Sequence, residues 1–385
     1  MNEQIEKFTV GNDYILDQKL VKYDCIASIA HAKMLKKIGV LTKTECDKLL
    51  EVLSLIRKLD DNKKFQIKKK DEDCHTAIEN YIIEKLGDVG KKIHTARSRN
   101  DQVLIALRLF YKDEIKSVIN NVDNLIKTMA LFKRKYGKIE LPGYTHMRKA
   151  MPSSIGLWID AYVESMKDNK TLLNAIFKLI DQSPLGTGAG YGLPIEIDRE
   201  VTANLLGFSK IQKNPIYVQN SRGKFESSII HGLTQILIDL NKMSVDIIFF
   251  SMPEIGYMKL SSEICTGSSI MPHKKNPDVL EIIRANYHKI ISFEYEIKSI
   301  ISNLISGYNR DLQLIKEPII KGFEITIDSL QAINIVLAHI DIDKKKCKEA
   351  MTEELYATDI VYDLVKQGIP FRDAYKKVAK KFNNY

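Results

Sequence analysis

A chain of 385 residues with 44% hydrophobic content has enough apolar surface for a buried core and for two or three domains. Its net charge of +9 fits either an anion-attracting surface or ordinary lysine-rich solvated helix faces, and the densest basic run, Lys68-Lys69-Lys70, is answered at once by Asp71-Glu72-Asp73, which makes a poor phosphate-tracking stripe. The five cysteines (Cys25, Cys46, Cys74, Cys265 and Cys347) are odd in number and form no CxxC pair, which argues against a disulfide framework and a zinc ribbon.

The first residues, Met1 to Lys7, are charged and lack an apolar signal core. The most apolar stretch, near Ile247-Ile248-Phe249-Phe250, is far too short to span a bilayer. The expectation is a reduced cytoplasmic protein with no membrane partner. Residues 1–95 read as shorter helices. From Val103 to Tyr136, apolar residues recur at Val118, Val122, Leu125, Ile126 and Met129, the spacing of one helix face. Further segments run from Trp158 to Ile180, from Lys224 to Phe250, from Pro277 to Ser306 and from Gln313 to His339. At about 25–30 residues each they predict rods of roughly 40–45 Å. Long amphipathic helices need long partners, so the pattern predicts an all-α fold: a central antiparallel bundle of about five helices between small helical N- and C-terminal domains. The expected divisions are 1–98, 99–340 and 341–385. Apolar residues on more than one stripe of several helices point to burial against other subunits.

Gly and Pro gather at 141–144, 184–194 and 267–277, which read as loops or caps. The Gly-rich stretch 186–192 has no following GK[ST] and no strand before it, so it is a tight helix–helix turn rather than a phosphate loop. Three polar stretches exceed what a bundle needs: His94-Thr95-Ala96-Arg97-Ser98-Arg99-Asn100-Asp101-Gln102, Gly143-Tyr144-Thr145-His146, and Gly267-Ser268-Ser269-Ile270-Met271-Pro272-His273-Lys274-Lys275-Asn276-Pro277. No HExxH occurs, and His75, His94 and His146 lack ligand spacing, so no metal is expected. His31, His231, His288 and His339 carry no motif and read as structural.

The 267–277 stretch resembles the signature loop of the fumarase/aspartase superfamily, and His94 to Val103 resembles the HTxRSRNDQV block of the argininosuccinate lyases within it. Asp71-Glu72-Asp73-x-His75-Thr76, Pro184-Leu185-Gly186-x-Gly188-Ala189 and Tyr308-Asn309-x-Asp311-Leu312-Gln313-x-x-Lys316 are similar too, so the likeness covers essentially the whole chain. Departures are His273, where that family usually has Gln, Met147 to Met151 after His146, Gly11 near a usual substrate-binding Ser, and a C-terminal domain that looks abbreviated. The resemblance implies a fumarase/aspartase-like fold and a cofactor-free β-elimination of argininosuccinate to arginine and fumarate. It implies a homotetramer with sites shared between subunits. By position it assigns Ser268 and His146 to base and acid, in either order, Glu281 to holding the imidazole, and Lys274 to the developing charge. Asn100, Thr145, Asn276, Tyr308, Gln313 and Lys316 match substrate contacts, and Arg97, Arg99, Ser269 and His75 are expected to line the site.

Serine is a poor base near neutrality, so its assignment requires a closed, positive, dehydrated site. The doubly negative aci-carboxylate formed on proton removal needs fixed cations and N–H donors. Three other readings compete: an adenylosuccinate lyase-like member, for which His273 speaks; a non-catalytic crystallin-like protein on the same scaffold; and a basic helical nucleic-acid binder, which no aromatic-studded basic stripe supports.

Overall fold

The computed structural model describes residues 2–382. The chain enters through helices of modest length, Glu3–Val10, Val21–Lys37, Lys43–Asp61 and Cys74–Leu86. Three of these starts are closed by side chains. Asn2 accepts from the N–H groups of Gln4 and Ile5, Asp73 from that of Thr76, and Thr42 with Glu45 forms a capping box.

Five long helices follow: Arg99–Tyr136, Ile155–Ile180, Lys224–Ser251, Asp278–Ile300 and Lys316–Ala338. The 3.6-residue pattern marks them because their apolar stripes are buried: Val118, Val122, Leu125 and Met129 on the first, and Phe225, Ile229, Leu233, Ile236, Leu240, Met243 and Ile247 on the third. The fourth helix stops short of the expected Ser306. Beyond Ile300 the chain turns through Asn303 and Gly307, both at positive φ (64° and 104°), which a right-handed helix does not accommodate. Among the described residues no helix is long and apolar enough to cross a membrane.

The chain forms two compact units, and the boundary falls inside each of the five long helices. The first holds the residues up to Ile119 with Thr171–Leu233 and Ile290–Ile325. In it Ala27 and Ala30 pack with Ile105, Leu185, Ala203, Leu206 and Phe208. Gly232 lets two long helices approach: a Cβ there would lie 2.7 Å from Ile176 Cδ1. The second unit holds Asn120–Lys170, Thr234–Lys289 and the residues from Thr326 on. There Trp158 Nε1 and Tyr162 Oη both donate to Asp246, at 2.9 and 2.6 Å. Val361 and the pair Ala374 and Val378 join the short helices Ala357–Lys366 and Phe371–Phe382.

Short strands, which the sequence pattern does not reveal, form four two-stranded pairs among the described residues. The largest is an antiparallel hairpin of Glu140–Thr145 and Arg148–Ser154. Its proline-glycine segment reads as loop, yet Pro142 stands opposite Pro152, so both missing N–H donors fall on one rung. The Gly186–Gly192 stretch is not a helix–helix turn. It belongs to a longer irregular connection between strand Gln182–Ser183 and the short helix Arg199–Leu205.

Candidate functional site

In the first unit one cavity, of roughly 110 Å³, is lined by Arg99, Asn100, Tyr308, Gln313 and Lys316, five of the residues expected from sequence. Asp13, Asp17, Glu72, Asp73, Arg222 and Arg310 also line it, so the wall carries both signs of charge. Arg99 Nη1 donates to Asp73 Oδ2 at 2.6 Å and to Thr76 Oγ1 at 2.8 Å. Gln313 Nε2 donates to the carbonyl of Thr9 at 3.0 Å, which ties the wall to the end of the first helix.

Lys316 is 3% exposed and is shared by two carboxylates, Asp17 Oδ1 at 2.6 Å and Asp13 Oδ2 at 3.1 Å. Burial favours its neutral form, but the two carboxylates outweigh it and hold its pKa above the usual lysine value. One ammonium cannot neutralise two acids. Burial, with the neighbouring Asp17 and Asp73, lifts the Asp13 carboxyl from 3.8 to about 6 against the pull of Lys316. Between those values the fold binds more protons than the unfolded chain, so this group costs stability as pH rises through them. In urea unfolding, the stability of Asp13→Asn relative to the unmodified protein is expected to rise by about 1–3 kcal/mol from about pH 4 to about pH 6, then level off. A difference independent of pH would refute the assignment of that proton.

Behind the cavity lies a fully buried network. His75 Nδ1 donates to Asp24 Oδ2 at 3.0 Å, Gln102 Nε2 reaches both Asp24 oxygens at 3.1 Å, and Ser28 Oγ donates to Asp24 Oδ1 at 3.1 Å. Arg97 Nη1 donates to Ser28 Oγ at 2.8 Å. Burial alone would raise the Asp24 carboxyl, but His75, Arg97 and Gln102 overcome it and bring it down to about 2. Burial likewise opposes a charged His75, and Asp24 reverses that and raises its pKa. His75 and Arg97 therefore stand behind the wall, not in it. Asp17, Cys74 and His75 come within metal-binding distance of one another. The Asp17 oxygens, however, already accept from Lys316 and from the Cys74 N–H, and burial pushes the Cys74 thiol well up. This trio is part of the ion-pair network.

The structure adds a role for Asp101, which the marked stretch 94–102 contains but to which the sequence assigns no function. Its Oδ1 accepts from the Ser98 N–H at 2.9 Å, and its Oδ2 accepts from the N–H groups of Gly186 and Gly188, each at 2.9 Å. Both glycines have positive φ, 88° and 59°, which frees their amides to converge on one oxygen. The carboxylate thereby fastens the start of the Arg99 helix to the Gly-rich loop.

The second unit carries Thr145, His146, Ser268, Ser269, Lys274, Asn276 and Glu281. His146 and Met147 form the hairpin turn with φ of 53° and 59°, the mirror-image turn that suits strand twist. Thr145 and His146 are exposed. The signature loop is closed at its base by strands Thr266–Gly267 and Lys275–Asn276, in which Thr266 faces Asn276. The Thr266 hydroxyl also donates to Asp278, the first residue of the next helix. Inside the loop Ser268 Oγ accepts from the N–H groups of Met271 at 3.0 Å and Ile270 at 3.4 Å. Ser268 is half-buried, Asn276 is partly buried, and Ser269, Lys274 and Glu281 are exposed. No hydrogen bond joins His146 to Glu281 within the described residues of the single chain.

A family model described as a lyase matches residues 4–292. A relative from Thermotoga neapolitana, named argininosuccinate lyase, is 54% identical over 382 residues, covering 99% of this chain and 96% of that one. One of the same name from Phocaeicola vulgatus is 43% identical over 379 residues, with 98% and 85% covered. Among solved structures, an EDDS lyase in complex with formate has a TM-score of 0.83 at 23% identity, covering 97% of this chain and 74% of that one. A class II fumarase from Schistosoma mansoni has a TM-score of 0.83 at 17% identity, covering 98% and 88%. At such identities the likeness to solved structures carries the fold alone. The lyase match and the near full-length identity to the Thermotoga neapolitana relative together establish that the chain belongs to the argininosuccinate lyase family.

Proposed function

We propose that this protein catalyses the reversible β-elimination of argininosuccinate to arginine and fumarate, carried by the 54% identity that runs along 99% of the chain. The cavity in the first unit supports the reading, because its mixed charges suit a ligand with three carboxylates, an ammonium and a guanidinium. In this reaction a proton leaves the carbon beside a carboxylate and the guanidinium nitrogen is expelled. Of Ser268 and His146, one removes the proton and the other protonates the nitrogen, and Glu281 orients the imidazole. Lys274 and Asn276 stabilise the aci-carboxylate. Asn100, Thr145, Ser269, Tyr308, Gln313, Lys316 and Arg99 bind the ligand, with His75 and Arg97 supporting them.

Because His146 and Glu281 are both exposed and unjoined in one chain, the proposed site draws on neighbouring copies, in a homotetramer. Large apolar residues left exposed on the long helices, among them Leu131, Leu157, Ile282, Tyr295 and Ile335, support burial between copies. Five free cysteines fit a reduced cytoplasmic setting. Ultraviolet detection of fumarate release tests the reading. Argininosuccinate is expected to be cleaved and adenylosuccinate left intact. Turnover of adenylosuccinate instead would favour the rival that His273 recommends, and turnover of neither would defeat the enzyme.

A further inference from the structure

We propose that Asp13 accepts the α-ammonium of the arginine half of the ligand, with Arg222 of the same cavity wall as the cation for the carboxylate on that carbon. This rests on the argininosuccinate reading above.

The two acids that share Lys316 are unequal. Asp17 is fully buried and engaged through both oxygens: one accepts from Lys316 at 2.6 Å and the other from the Cys74 N–H at 3.2 Å. The Asp13 side chain is 15% exposed, lines the cavity, and makes the longer contact with Lys316 at 3.1 Å. Asp17 is thus the standing partner of the lysine, and Asp13 is the surplus anion. Asp73, the other partly buried carboxylate of the wall, is taken by Arg99. A ligand cation relieves the crowding at Asp13 without disturbing either standing pair.

Arg222 shows the opposite imbalance. It is 5% exposed, its Nη2 donates only to the Leu312 carbonyl at 3.1 Å, and its Nε has no partner. It pairs with no carboxylate among the described residues, and its guanidinium lies 5.4 Å from the centre of the Tyr308 ring. A buried cation without a counter-ion is costly unless a ligand supplies one. An amino-acid head group carries an ammonium and a carboxylate on one carbon, which matches the partly buried Asp13 and the buried Arg222 of one wall; Glu72 and Arg310, also unpaired there, are exposed to solvent. The guanidinium is the reacting end of the ligand, so it belongs with the acid and base.

The test uses the synthetic direction, joining fumarate to arginine or to its α-hydroxy analogue, in which a neutral hydroxyl replaces the ammonium. The unmodified enzyme is expected to prefer arginine. Asp13→Asn is expected to raise KM for arginine about 10- to 100-fold, the loss of one charge-assisted hydrogen bond, while KM for the analogue and for fumarate stays within about twofold. Asp13→Glu is expected to keep the preference. A merely structural role would move both amino-acid substrates together, and that outcome overturns the proposal, as does an unchanged preference. Should Asp13→Asn fail to fold, Asp13→Ser read by the same ratio decides. If the unmodified enzyme does not join arginine and fumarate at all, the lyase reading is what fails. If it does, and Asp13→Asn still prefers arginine, only the Asp13 assignment fails.

Discussion

Ser268→Ala is expected to lower kcat for argininosuccinate cleavage by about 10²- to 10⁴-fold, the range set by loss of a positioned proton-transfer group. Its hydroxyl is held at the neck of a closed loop, where it accepts two backbone N–H bonds. Donors so placed favour an anionic oxygen, which is what a serine needs to act as a base. The alanine removes that oxygen and leaves the pair of rungs at Thr266–Gly267 and Lys275–Asn276 intact. The fold should therefore survive, which circular dichroism and thermal melting can check. A variant with normal kcat would remove Ser268 from the chemistry. Loss confined to KM would make it a binding group.

Asp24→Asn is expected to cost about 3–5 kcal/mol in urea unfolding near neutral pH, because it strands the charges on His75 and Arg97 in a site from which water is excluded. Asp24 is 0% exposed and takes bonds from His75, Gln102 and Ser28. Since the folded His75 pKa is raised, its share of this stabilisation is present below the ordinary value of 6.5 and fades as pH climbs through the folded one. The penalty should therefore shrink in alkaline solution. A cost below about 1 kcal/mol would mean that the network contributes little to the fold.

The long helices are legible in the sequence because each buries one continuous stripe. The three- and four-residue steps linking Val118, Val122, Leu125 and Met129 match a helix face and not the two-residue alternation of a strand. The hairpin at 140–154 is not legible, since Pro142 and Gly143 are loop residues by local chemistry and only the partner strand makes them otherwise. The charged wall is half legible. Arg99, Asn100, Tyr308, Gln313 and Lys316 sit in stretches with recognisable spacing, and one cavity gathers them. Asp13 and Asp24 are single acids on ordinary helical segments, and Asp101 is one residue of the marked stretch 94–102 with nothing in the sequence to give its role. What distinguishes them is burial beside lysine, imidazole or backbone amides, which arises only when segments far apart in sequence pack together. The Asp101 carboxylate, for example, serves residues 85 and 87 positions away.

Four of the five cysteines are buried, and Cys265 alone is partly open. It lies three positions before Ser268, at the foot of the signature loop. The foot of that loop thus carries the one partly open thiol of the chain. The rate at which a small alkylating reagent modifies it, with and without fumarate, would report opening of that segment in the unaltered protein.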